Sequence, residues 1–192
     1  MKNNQPKINT SRRRFLSQTA FATPLLAFPF VHVSAYSENN WQKATTVFPE
    51  MKIRKEDGTE LYLKQFLGRP LLLNYWATWC APCIFELPHL NKAATFLKEF
   101  NIDVLLVSTD RSPIQDVSAF LDGKQIYIPF RGFDSKAIWA RAMNVSALPV
   151  TFIINANQNS SWSHTGIAEW SSSTMINDIR ERIEIFLRLG KR

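Results

Sequence analysis

The segment Leu71-Leu72-Leu73-Asn74-Tyr75-Trp76 has the length of a β-strand and a near-continuous apolar run, the pattern of a strand buried on both faces. Such a strand needs helices on both sides of its sheet. The next segment supplies one. From Pro82 to Phe100, Ile84, Leu87, Leu90, Ala94 and Leu97 recur at intervals of three and four, marking one buried helical stripe. The chain then alternates: a strand from Ile102 to Ser108, a helix from Pro113 to Leu121, a strand from Ile126 to Phe130, a helix from Ser135 to Met143, and a strand from Val150 to Ile154. This alternation implies βαβ units and an α/β domain. Upstream, Met51 and Ile53 alternate with charges, Asp57-Gly58 makes a turn, and Leu61 and Leu63 resume the alternation, which predicts a hairpin. Downstream, Trp162 to Thr165 is expected as an edge strand, and Ile176, Ile179, Ile183, Phe186 and Leu187 line a terminal helix.

The N-terminus has a different character. Lys2, Lys7, Arg12, Arg13 and Arg14 lie in the first 35 residues, which contain no acid. Without these five, 18 basic residues face 16 acidic ones, and the net charge of +7 falls to +2. A phosphate-binding basic surface is therefore not supported, and no nucleic-acid partner is expected. The leader has signal-peptide anatomy: a basic start, an apolar stretch interrupted by Pro24 and Pro29, and small residues at Val33 and Ala35 that place the cut after Ala35. "SRRRFL", Ser11 to Leu16, fits the twin-arginine pattern, with Ser17 where Lys is usual. The expected organisation is a signal peptide over 1–35, a polar lead over 36–44 and one domain over 45–192. Export to the periplasm follows from this reading. An uncleaved anchor is the weaker alternative, because the two prolines make a poor membrane span.

Cys80 and Cys83 are the only cysteines, two residues apart in "YWATWCAPCIFELP". A structural staple with so small a loop would remove little unfolded-state entropy. Zinc would need two more ligands, and the chain after the leader offers only His89 and His164 besides this pair, so no metal or cofactor is expected. A redox pair suits the position. The strand at 71–76 delivers Trp79 and Cys80 to the first turn of the helix containing Cys83, where unpaired N–H groups and the helix dipole favour a thiolate. Cys80 would attack a substrate disulfide and Cys83 would resolve the mixed disulfide.

"NYWATWCAPCIFELP" resembles the active-site segment of the thioredoxin superfamily, specifically the exported thiol-disulfide oxidoreductases related to TlpA and ResA. The likeness runs over roughly residues 45–190 and includes the Asp57-Gly58 hairpin, Pro88, "ALPVTFIIN" and "GIAEW". It implies an α/β thioredoxin-like fold: a central mixed β-sheet flanked by helices, an N-terminal β-hairpin, and an extra βα element between the CxxC helix and the cis-proline strand. The 65 residues between Cys83 and Pro149 leave room for that element. It also implies a cis Leu148-Pro149 bond beside the disulfide, a specific commitment given how few X–Pro bonds are cis. Trp79, Pro82, Leu148 and Pro149 would then form the substrate-docking surface. Asn74 stands where thioredoxin has a buried acid, and Asn cannot take a proton. The family's acid three residues after the second cysteine is Glu86 here. It is either the base for Cys83 or a solvated helix residue. His89 and His164 are expected as surface or packing residues, and Tyr75 and Trp76 as core and rim.

The resemblance implies a reductant of selected exported, disulfide-bearing proteins, such as apocytochromes c or a copper-site protein, with electrons from a membrane thiol carrier. A dithiol oxidase is the alternative chemistry, disfavoured because the chain lacks room for the large helical insertion of DsbA-type oxidases. A thiol peroxidase is disfavoured further, since Leu73 and Ala77 occupy the Pro and Thr positions of the Pro-x-x-x-Thr-x-x-Cys pattern. A non-catalytic binding module or chaperone retaining the fold is the alternative from another class.

Overall fold

The computed structural model describes residues 40–44, 48 and 52–189, with side chains described up to Phe186. The expected leader, its cleavage site at Ala35, Met51 of the hairpin and the Leu187 side chain lie outside the described residues. In chain order the elements are β1 (Trp41–Ala44), β2 (Lys52–Arg54), β3 (Glu60–Tyr62), a 3-10 turn (Leu63–Phe66), β4 (Leu71–Trp76), α1 (Ala81–Lys98) and β5 (Asp103–Ser108). They continue with α2 (Ile114–Gly123), β6 (Phe130–Phe133), α3 (Ile138–Ala142), β7 (Val150–Ile154), β8 (Ser161–Thr165) and α4 (Ser173–Leu189). One mixed sheet runs β1-β8-β7-β4-β5-β6-β2-β3. Its centre, β4-β5-β6, is parallel, and the remaining pairings are antiparallel.

All six residues of β4 are buried, as its apolar run requires. The two-residue period sends Leu72 and Trp76 to one face, where they join a core that includes Leu87 and Leu90 of α1, Leu121 of α2 and Ile179 of α4. Leu71, Leu73 and Tyr75 turn to the other, against Phe66 of the 3-10 turn and Trp139 of α3. Asn74 shares the α1 face with Leu72 and Trp76, so the strand places one polar side chain beneath that helix. The thioredoxin-like architecture expected from the sequence is the observed one. The elements β5, α2, β6 and α3 lie between the cysteine-bearing helix and β7.

Several local expectations are corrected. Residues 41–44, read as part of a polar lead, form β1 and pair antiparallel with β8 from Trp41 opposite His164 to Ala44 opposite Ser161. The strand at 161–165 is therefore interior rather than an edge. Trp41 anchors β1 edge-on to His164 and Trp170 at 5.3 and 6.0 Å. The strand expected from Ile126 begins only at Phe130. Pro129 has no N–H to give a ladder, and Arg131 turns its guanidinium back onto the carbonyls of Ile126 and Ile128. The helix expected from Ser135 begins at Ile138, because Ala137 is left-handed at φ 51°. The Asp134 carboxylate then accepts from Ile138 N and Ala140 N at 2.7 and 2.9 Å. The hairpin's second strand stops at Tyr62, and Leu63 starts the 3-10 turn.

If β1 is part of the core, Trp41→Ala is expected to cost about 3 kcal/mol, the low end for a buried Trp truncation. Urea unfolding measures it. A cost within about 0.5 kcal/mol, the range of ordinary surface changes, would return these residues to a lead.

Candidate active site

Between β4 and α1 the chain makes a tight turn, with Cys80 N donating to Ala77 O at 3.1 Å. Cys80 is the N-cap of α1, and its sulfur accepts from Cys83 N at 3.3 Å. Pro82 sits in the first turn, where a backbone N–H would have no helical partner. The two sulfurs form a disulfide of 2.05 Å. Cys80 is 5% exposed and Cys83 is fully buried. The sulfur that can be reached is therefore the one at the positive end of the helix, where a thiolate is favoured over a thiol.

The turn is tethered from the neighbouring parallel strand. Asp110, just past β5, accepts from Thr78 N at 3.0 Å, Thr78 Oγ1 at 2.6 Å and Ser108 Oγ at 2.7 Å. Asp110 was not singled out from the sequence. Its only signal is an acid beyond the carboxyl end of a parallel strand, where sites gather in α/β sheets. Beside the disulfide lies a groove of about 590 Å³ walled by Trp79, Cys80, Pro82, Ala140, Val145 and Leu148. Trp79 is 70% exposed at its rim. The Leu148-Pro149 bond is cis, and Pro149 is buried at the start of β7.

Glu86 lies one turn along α1 from Cys83 and has no exposed surface, so it is not a solvated helix residue. Asn74 Nδ2 donates to Glu86 Oε1 at 2.8 Å and to Thr151 Oγ1 at 2.9 Å. Trp170 Nε1 donates to Glu86 Oε2 at 2.9 Å, and Ala168 N reaches it at 3.4 Å. Burial pushes the Glu86 carboxyl up to about 7, against the opposing pull of the donors Trp170, Asn74 and Ala168. A carboxylate has about four acceptor positions, and three donors leave one free for a proton. Thr151 and Trp170 were missed as members of this network, although Trp170 belongs to the "GIAEW" segment. His164 is buried in packing contact with Trp41 and Trp170, and His89 is half-buried beside Ser171. Tyr75 and Trp76 are core, not rim. Among the described residues no cluster of His, Cys, Asp or Glu could hold a metal.

The Redoxin family model matches residues 42–179, well over half of the chain. The chain belongs to the Redoxin family. It is similar to thiol-disulfide oxidoreductase ResA of Geobacillus kaustophilus (strain HTA426), with 27% identity over 148 residues, 76% of this chain and 84% of that relative. Among solved structures, StoA from Bacillus subtilis aligns with a TM-score of 0.58 at 19% identity, over 69% of this chain and 98% of StoA. The exposed lipoprotein thioredoxin of Streptococcus pneumoniae strain TIGR4 aligns at 0.59 and 20%, over 69% and 99%. These two establish the fold. With a disulfide at the N-terminus of α1, this Redoxin-family member is a thioredoxin-like oxidoreductase of the thiol-disulfide class.

The raised carboxyl has a consequence for stability. Folded Glu86 titrates near 7 and an unfolded glutamate near 4.5. Between these values the folded state keeps a proton that the unfolded state has lost, so stability falls as pH rises through the window. At about 1.4 kcal/mol per unit the loss is roughly 3 kcal/mol. Guanidinium unfolding of the oxidised protein from about pH 4 to pH 9 is expected to show that loss in wild type and not in Glu86→Gln. Parallel profiles would return Glu86 to an ordinary carboxylate.

Proposed function

We propose that this protein is an exported, periplasmic reductant of disulfides in selected exported proteins, working through Cys80 and Cys83. One observation carries this reading: the only accessible sulfur of the pair caps a helix and opens onto an apolar groove. In the reduced state the Cys80 thiolate attacks a substrate disulfide. A Cys80–substrate bond forms, and the other substrate sulfur leaves as a thiolate that takes up a proton. Cys83 then gives its proton to Glu86 and attacks Cys80. This releases the second substrate sulfur as a thiolate, which takes up a proton as Glu86 gives its own back, and closes the Cys80–Cys83 disulfide, so two electrons and two protons have passed to the substrate. Trp79, Pro82, Leu148 and Pro149 position the polypeptide. Apocytochromes c or a copper-site protein are the substrate classes that fit by resemblance, with a membrane thiol carrier restoring the dithiol. Export rests on the basic leader with Val33 and Ala35 and the twin-arginine pattern at Arg12 and Arg13.

Glu86 suits the second step by its position and its buried proton affinity. A base near pH 7 takes a thiol proton and gives it back at little cost in either direction.

Three measurements test the reading. Cys83→Ser is expected to trap mixed disulfides with partners, and Cys80→Ser none; equal capture by both would overturn the assignment of the attacking thiol. The couple is expected at roughly −200 to −270 mV, between glutaredoxin-like and thioredoxin-like values, whereas a potential near −120 mV would make the protein an oxidase. Glu86→Gln is expected to form mixed disulfides at close to the normal rate but to resolve them about ten- to a hundredfold more slowly. The defect should shrink as pH rises and Cys83 ionises unaided. Quenched-flow trapping from about pH 6 to pH 9 separates the steps, and wild-type resolution throughout would remove Glu86 from the mechanism.

A further inference from the structure

The groove at Cys80 continues past the Trp79 indole into a second hollow of about 800 Å³, with Trp79, Thr109 and Ala137 common to both. The walls change character there. Arg111, Lys136 and Arg141 line the second hollow together with one carboxylate, Asp110. That carboxylate is 3% exposed and already accepts from Thr78 and Ser108. Nearby Asp134, whose field reaches Arg141, is also buried and accepts from the backbone N–H groups that open α3.

The three cations are exposed, and none of them belongs to an ion pair among the described residues. Some cations elsewhere have acids, as Lys52 with Glu60, Arg69 with Asp103, Arg131 with Asp122 and Arg182 with Asp178, and others such as Lys92, Lys98 and Lys124 have none among the described residues; what sets these three apart is that they line one hollow beside the groove at Cys80. Beyond the leader the chain holds 18 basic and 16 acidic residues, so overall charge gives no reason for three exposed cations to gather in one hollow.

We propose that this hollow selects polypeptide substrates carrying acidic residues a few positions from the disulfide cysteine. The apolar groove takes the residues beside the cysteine, and Arg111, Lys136 and Arg141 take the carboxylates that follow. A polypeptide is the occupant because the hollow is continuous with the groove at the reactive sulfur, so one extended chain can fill both. This inference rests on the thiol-disulfide reading and names its substrate class. Exposed charge pairs are individually weak. Three cations facing one segment also raise its encounter rate, an effect that salt screens.

The test uses the pre-reduced full chain and fluorogenic disulfide peptides identical except for a flank of three Asp/Glu, three Asn/Gln or three Lys residues. Single-turnover reduction is expected to be about tenfold faster for the acidic than for the amide peptide at low salt, and within about threefold at 0.5 M salt, where the screening length is only a few Å. The lysine peptide is expected to be the slowest. Combined Arg111→Gln, Lys136→Gln and Arg141→Gln is expected to bring the acidic-to-amide ratio to about one. The same charge removed at Lys92, Lys98 and Lys124, toward the far ends of α1 and α2, is expected to keep the ratio. Equal rates for the peptides, or a ratio that survives in the Arg111/Lys136/Arg141 variant, would overturn the proposal while the oxidoreductase reading stands. A fully reduced protein that reduces none of the peptides would overturn that reading and this inference with it.

Discussion

Glu86 is the point at which the helix carrying the cysteines is tied to the central strand and to the segment before α4. Its carboxylate receives donors from β4 through Asn74 and from the segment before α4 through Ala168 and Trp170. Burying a carboxylate is costly unless hydrogen bonds replace the water it loses. Each donor is therefore held by the penalty of leaving that oxygen unpaired. Trp170 is braced in turn by His164 at 5.4 Å and by Trp41 at 6.0 Å, which extends the arrangement to the outermost strand. The distance from the sequence's polar lead to its active helix is thus only a few side chains.

That dependence explains what could be read in the sequence. Cys80, Cys83 and the strand and helix around them were legible because their signals are local: an apolar run of strand length, a stripe repeating every three or four residues, and two cysteines at their junction. Glu86 could only be left between two roles, since its burial is decided by partners 12 and 84 residues away. Strand β1 was lost for a similar reason. Four residues with two charged or polar positions carry no pattern of their own, and their partner strand is more than a hundred residues downstream. The misplaced starts of β6 and α3 have another origin, in Pro129 and in a left-handed Ala137 that no propensity would suggest. The residues lining the groove at Cys80 fell between these cases. Trp79 and Pro82 came with the cysteine motif, whereas Val145 and Ala140 enter the groove only through the fold.

The reactive turn is rigid by construction rather than by its own sequence. It leaves the carboxyl end of β4, and Asp110 from beyond β5 holds Thr78 by three hydrogen bonds to its backbone and hydroxyl. Thr109 N closes the gap between the strands by donating to Trp76 O at 3.0 Å. These bonds are made by residues other than the cysteines, so the hold on the turn does not depend on the disulfide itself. Trp79 projects outward from the same turn, so the exposed indole at the rim of the groove is anchored one position from a tethered residue.

Asn74 gives the buried layer its chemical simplicity. A second acid at that position would lie against Glu86 in a low-dielectric site, and two such carboxyls share their titration rather than holding separate affinities. One of them would be driven far above neutral pH and the other below it, leaving neither poised to exchange a proton with a thiol. Asn74 instead donates to Glu86 and to Thr151 without a charge of its own. It lowers the cost of the ionised carboxylate enough to offset part of the burial penalty, and a single carboxyl near 7 is the result. The buried carboxyl therefore stands on the helix that carries the cysteines and not on the strand beneath it. There it shares α1 with Cys83, separated from it by a single turn, so a proton exchanged between the two would cross one turn of one helix.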